Sequence, residues 1–307
     1  MPAEAIHLSA LADSFPAADA SLRRAAGFDD PERHQLLRLG AVMIDLPYFD
    51  HFALGVARYL LRHPVATSSA GDAFHQRRPV ELGKILLRRA AELRAHRATS
   101  RDGDRLLSVA LGYFSHVAVD GSMHPLVNQL ASVRAARLGD RPSRQHNEVE
   151  KFHSVLFHEE RLGYDFMGDP RLVDHIAVDA GAFLDDGTIA IALRDAIAGV
   201  HDSRLQQRTL ARWVRGYGQY VRLLASWFGR RIVPAAVKEA VRGEVYDAPF
   251  GRFVDHYARA VERSRRAVEA ALAFTEDPTQ EARFDAVVPE GSIDDPPYAT
   301  DLDRGLA

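Results

Sequence analysis

The sequence predicts an all-α protein built as a single multi-helix domain, and three observations carry that reading. Apolar residues recur at three- and four-residue spacing along most of the chain, the period of a helix buried on one side. Alternating stretches that would mark half-buried strands are short and isolated. No internal repeat divides the 307 residues, a length sufficient for one large core.

Each helical segment has its own justification. VELGKILLRRAAELRAHRA (80–98) sets Val80, Leu82, Ile85, Leu86, Ala90 and Leu93 along one stripe, with arginine and lysine on the other side. DRLLSVALGYFSHVAVD (104–120) starts at Asp104, a residue suited to an N-cap, and is mostly apolar, as a central buried helix requires. RQHNEVEKFHSVLFHEERLG (144–163) keeps helical spacing and ends on a glycine stop. LQQRTLARWVRGYGQYVRLLASWFGRRI (205–232) reads as one or two amphipathic helices, and GRFVDHYARAVERSRRAVEAALAFTED (251–277) as another. Segments 64–72 and 133–143 read as loops. From Glu276 onward nine acidic residues face only Arg283 and Arg304, a net charge of −7, among several prolines. The expected organisation is a helical domain over 1–275 and an acidic tail over 276–307, extended or disordered.

Composition excludes several classes. With 39 basic and 42 acidic residues the net charge is −3, so no global field draws the chain to nucleic acid or to an anionic membrane. There is no cysteine. Disulfides are thereby excluded, and a metal site has to use histidine and carboxylate. The opening residues lack the basic region and continuous apolar core of a signal peptide, and no window reaches the ~18 apolar residues of a membrane span. The expectation is a soluble, cytoplasmic protein.

Within ALGYFSHVAVDGSMHPLVNQ (110–129), His116, Asp120 and His124 stand at i, i+4 and i+8, on one face of a helix. Burying such groups unpaired costs several kcal/mol each. Two compensations are open, hydrogen bonds among themselves or a cation. RQHNEVEKFH repeats the pattern with His146 and Glu150 at i, i+4. Neutral imidazole and carboxylate are natural ligands of Zn²⁺, and this spacing holds two of them at one ion. Upstream, Asp45 follows an apolar run in LGAVMIDLPYFDH, His75 lies just ahead of the 80–98 helix, and His7 sits near the chain start.

The ordered blocks MP…H, G-x-x-x-x-D-x-P-Y, F-H-x-x-x-P-x-E-L, G-Y-x-x-H-x-x-x-D-x-x-x-H-P and H-N-x-x-E resemble the zinc-dependent phospholipase C family, itself related to the S1/P1-type nucleases. The resemblance runs from residue 2 to about residue 160, and GYFSHVAVDGSMHP is its most distinctive block. It implies an all-α fold with a site for two to three zinc ions. Carried across position by position, Asp45, His75, His116 and Asp120 resemble the ligands of one zinc. Asp120 would bridge to a second, also held by His7, and His124, His146 and Glu150 resemble the ligands of a third. Asp45 also matches the position assigned as general base. Such a cluster lowers the pKa of water and stabilises charge growing on phosphate oxygens. One departure stands out: secreted members offer the amine and carbonyl of an N-terminal tryptophan to a zinc, whereas removal of Met1 here would leave Pro2.

The bland readings are specific too. His116, Asp120 and His124 can form a buried hydrogen-bonded triad, and Asp45 can be a turn residue. His51 and His63 compete with His75. His153, three residues past Glu150, either orients a ligand or belongs to the core. The run GRRIVPAAVK reads as a solvated face, and Trp213 and Trp227 as core or interface residues rather than a lipid wedge. The function expected is a zinc-dependent phosphodiester hydrolase of phospholipase C type, acting on a phospholipid or a soluble phosphodiester. The alternatives are a nuclease of the S1/P1 type, which the charge balance disfavours, and a non-catalytic metal-binding helical protein.

Overall fold

The computed structural model describes residues 3–16, 18–61, 68–201, 204–247 and 252–291, and no strand occurs among them. The α-helices follow as α1 (Ala3–Asp13), α2 (Ala20–Ala26), α3 (Pro31–Met43), α4 (Phe52–Leu60), α5 (Ser69–Gln76), α6 (Pro79–Arg94), α7 (Ser100–Leu138) and α8 (Pro142–Leu162). After them come α9 (Leu172–Ile176), α10 (Gly181–Leu184), α11 (Thr188–His201), α12 (Gln207–Ala225), α13 (Gly229–Ile232), α14 (Ala235–Val241), α15 (Phe253–Glu276) and α16 (Glu281–Val287). The all-α expectation holds. None of these helices is long and apolar enough to cross a membrane.

The axis of the molecule is α7, with 39 residues, roughly 58 Å at 1.5 Å per residue. It packs against α3, α6, α8 and α15, so almost every side chain from Leu106 to Val127 is buried. Its closest neighbour is α3. A Cβ on Gly40 would stand 2.0 Å from the Val109 carbonyl oxygen, and one on Gly112 would stand 2.0 Å from that of Leu37. Both glycines therefore let two backbones meet where no side chain fits. That approach brings the Ala41 carbonyl within 2.7 Å of His116 Nδ1, which ties the helix crossing directly to the site.

Three expectations change. The helix expected over 104–120 begins at Ser100 and runs on through Pro125 to Leu138, absorbing half of the loop expected over 133–143. Asp104 does not cap it but pairs with Arg94 at 2.9 Å, and the helix ends at Gly139, whose φ of +64° suits glycine. Of the loop expected at 64–72, residues 64–67 lie outside the described residues, while Ser69 already opens α5. His75 is therefore in the last turn of a short helix of its own.

The acidic tail is the third correction. Residues 278–280 form a 3₁₀ turn and 281–287 a helix, with Phe284 buried between Phe114 (5.0 Å between ring centroids) and Phe274 (5.5 Å). Lys84 holds Glu281 at 2.5 Å and Asp285 at 2.9 Å. Glu290 accepts hydrogen bonds from the backbone amides of Val80 (3.2 Å) and Glu81 (2.8 Å), capping α6, whose own N-cap residue, Arg78, supplies no side-chain cap. Acidity here is paired with fixed cations and a helix terminus instead of repelling itself. Residues 292–307 of the tail lie outside the described residues.

Candidate metal centre

Five elements deliver the eight candidate side chains. His7 comes from α1, Asp45 from the residue before the 3₁₀ turn Leu46–Phe49, and His75 from α5. His116, Asp120 and His124 come from α7, and His146 and Glu150 from α8. All eight converge. Three groups of ligand atoms close enough for one ion form among them: His7, His116 and Asp120; Asp45, His75 and His116; and His124, His146 and Glu150.

The convergence has a common chemistry, since all five imidazoles aim Nε2 at carboxylate oxygens. Asp120 is the hub. Its Oδ1 faces His7 Nε2 at 3.1 Å and His124 Nε2 at 3.5 Å, while its Oδ2 faces His116 Nε2 at 2.9 Å and His75 Nε2 at 3.6 Å. His75 Nε2 also lies 3.2 Å from Asp45. Glu150 Oε1 faces His124 and His146 at 3.4 and 3.3 Å. Donor atoms ~2.1 Å from a shared tetrahedral zinc stand about 3.4 Å apart. Most of these separations are near that spacing and longer than a good hydrogen bond, so the donor set fits a metal.

For three of the five rings the other nitrogen explains why Nε2 points inward. His75 Nδ1 donates to the Gly71 carbonyl at 2.8 Å and His116 Nδ1 to that of Ala41 at 2.7 Å. His146 Nδ1 donates to Asn128 Oδ1 at 2.9 Å. Fixing one nitrogen as the donor leaves the other as the ligand. The His7 ring stacks on His116 with centroids 3.8 Å apart, and its buried Nδ1 has no hydrogen-bond partner among the described residues.

Burial raises the stakes for every charge. It works against the His75 proton, yet the hydrogen bond to Asp45 and the charges of Asp45 and Asp120 lift that imidazole to about 9. Burial likewise opposes charge on His116, and Asp120 with Asp45 overcomes it to raise this ring too. Burial alone would push Asp120 up, but His116, His124 and His7 hold it well below the usual carboxylate range. Asp45 is held low against burial by His116 and His75, and Glu150 by His146 and His124. Three ionised carboxylates in one buried cluster demand positive charge. The most accessible members are His146, Glu150 and Asp45, with side chains 22%, 15% and 13% exposed, so solvent reaches the cluster on their side.

Other histidines resolve simply. His51 is exposed beside Asp50, and His63 lies outside the described residues, as does Pro2. His153 bonds the Val245 carbonyl at 2.6 Å rather than a member of the cluster, and burial pushes it down to about 4. His158, also pushed down to about 4 by burial, bridges Ser9 (2.9 Å) and the Ser154 carbonyl (2.7 Å) in the core. Sequence reasoning missed Asn128, although it continues the series 116, 120, 124 by one further turn. It also missed Glu4, one turn before His7, which is buried and accepts from the Tyr220 hydroxyl at 2.9 Å. Burial pushes its carboxyl up to about 7.

The family model described as zinc dependent phospholipase C matches residues 7–200, well over half of the chain and all eight members of the cluster. No curated protein and no solved structure gives a match.

Proposed function

The chain belongs to the zinc-dependent phospholipase C family, and on that premise we propose that it hydrolyses the phosphodiester bond of a phospholipid, releasing diacylglycerol and the phosphorylated head group. The observation that carries this reading is the aim of five imidazole Nε2 atoms at three carboxylates in one cluster. Asp45, His75, His116 and Asp120 would hold one zinc. His7 with Asp120 would hold a second, and His124, His146 and Glu150 a third. His116 Nε2 falls in two of the geometric groups, but one nitrogen binds one ion; the family resemblance pairs it with Asp45 and His75, and that pairing is the one proposed.

When bound, the ions supply Lewis acidity that lowers the pKa of water and offsets charge on phosphate oxygens. Asp45 is the base. Its carboxylate is ionised, sits on the solvent side of the cluster and receives the proton of the attacking water. The Gly71 and Ala41 carbonyls and Asn128 hold the histidine rings in place, so the donor set is arranged before substrate arrives.

The test is turnover of a panel by protein with measured zinc content. It comprises short-chain phosphatidylcholine, phosphatidylglycerol, bis(p-nitrophenyl) phosphate and a single-stranded oligonucleotide. Release of diacylglycerol from the lipids, lost on chelation and restored by zinc, is the expected result. Cleavage of the oligonucleotide alone would move the assignment to the nuclease reading. A fully metallated protein that turns over none of the four would support the non-catalytic one.

A further inference from the structure

Residues 204–238 contain Arg204, Arg208, Arg212, Arg215, Arg222, Arg230, Arg231 and Lys238 and not one acidic residue, in a chain whose net charge is −3. Within α12, Arg208, Arg215 and Arg222 recur every seven residues and so lie on one face, and all three are exposed. None has a carboxylate partner among the described residues, whereas Arg212 on the neighbouring flank pairs with Asp50 and Lys238 pairs with Glu159 at 2.8 Å. The stripe is positive and uncompensated.

Against this helix packs α4, FALGVARYL, held by the Phe52–Tyr220 ring contact at 5.8 Å between centroids and by the adjacent Asp50–Arg212 pair. Its only charged residue is Arg58, yet Ala53, Leu54 and Ala57 are exposed. Leu54 is 53% exposed and Leu61, just beyond the helix, 70%. Past the C-terminal end of α12, Trp227 is 65% exposed with the Arg231 guanidinium 4.5 Å from its ring centroid. Trp213 is a core residue, whereas Trp227 is not part of the core. Exposed leucines and a tryptophan beside unpaired arginines are the composition of a surface that rests at the boundary of a bilayer.

We infer that α4, the exposed face of α12 and Trp227 form a docking surface for an anionic phospholipid bilayer. Charge complementarity selects this occupant: each basic residue near such a surface gains about 1 kcal/mol, and the apolar side chains add contact with the acyl boundary. Nucleic acid would use the arginines but leaves Leu54 and Leu61 without a role. Position gives the surface its purpose. The 3₁₀ turn Leu46–Phe49, which follows Asp45 and precedes α4, packs on α12 so tightly that a Cβ on Gly216 would meet the Phe49 carbonyl oxygen at 1.9 Å. A bilayer held there adjoins the segment that carries Asp45. The purpose, though not the binding itself, rests on the hydrolase reading.

The test uses the full-length zinc-loaded protein and sedimentation with vesicles of phosphatidylcholine, either pure or with about one third phosphatidylglycerol. Binding to the mixed vesicles that weakens with salt, with Trp227 protected from acrylamide quenching, is expected. Arg208→Gln/Arg215→Gln/Arg222→Gln should weaken it by roughly 100-fold, while the matching triple lysine variant retains it and both keep wild-type turnover of soluble bis(p-nitrophenyl) phosphate. Leu54→Ser/Leu61→Ser should weaken binding without altering its salt dependence. Equal binding by wild type and the triple glutamine variant, no binding by wild type, or tighter binding of a single-stranded oligonucleotide at the same salt would each overturn the inference. Vesicle binding without turnover of any phosphodiester would leave this surface standing and remove the hydrolase reading.

Discussion

Asp45→Asn is expected to lower phosphodiester hydrolysis by ~10²–10⁴-fold while most of the bound zinc remains. The substitution keeps the size of the side chain and one carbonyl oxygen but removes the charge and the basicity. Metal persists because His75, His116 and Asp120 still surround the position, with His75 and His116 fixed by the Gly71 and Ala41 carbonyls. Glu150→Gln should behave in the opposite order. Glu150 alone offers an oxygen to both His124 and His146 in their group, so occupancy falls first and activity follows it. Zinc content and turnover have to be measured on the same preparations. An Asp45→Asn protein that is fully metallated and fully active would remove Asp45 as the base.

Removing the metal is expected to cost the fold itself several kcal/mol. Asp45, Asp120 and Glu150 are buried together and ionised, and without cations only the histidine protons offset their repulsion. Ligand bound at 1,000 times its dissociation constant stabilises by about 4 kcal/mol. At 2–4 °C per kcal/mol in large domains, chelation should lower the melting temperature by roughly 10 °C, reversibly. Asp120→Asn should melt near the chelated wild type and respond little to zinc, because the hub facing four imidazoles has lost its charge. A melting curve unchanged after verified metal loss would favour a hydrogen-bonded cluster that needs no ion.

The parts of this site differ in how plainly the sequence displays them. His116, Asp120, His124, His146 and Glu150 stand on long helices, where four-residue spacing converts directly into a shared face. Asp45 immediately precedes a four-residue 3₁₀ turn and His75 stands on an eight-residue helix, both too short for any period, and only the order of blocks along the chain singles them out. Asn128 was hidden by Pro125, which suggests an ending although α7 continues for thirteen residues beyond it. The acidic stretch 276–291 reads as self-repelling because its partners, Lys84 and the amides of Val80 and Glu81, are some two hundred residues away. Its buried anchors, Phe284 and Val288, carry no local pattern. A local excess of one charge predicts disorder only where no distant cation or helix terminus compensates it.

The central claim is that the eight side chains hold zinc, and anomalous diffraction at the zinc edge from crystals of the zinc-loaded protein tests it most directly. Peaks are predicted ~2.0–2.2 Å from Nε2 of His75 and His116 and a carboxylate oxygen of Asp45, and at the same distance from Nε2 of His124 and His146 and an oxygen of Glu150. Crystals that show no peak within the cluster, with His116 Nε2 bonded directly to Asp120 as the only link between them, would contradict it.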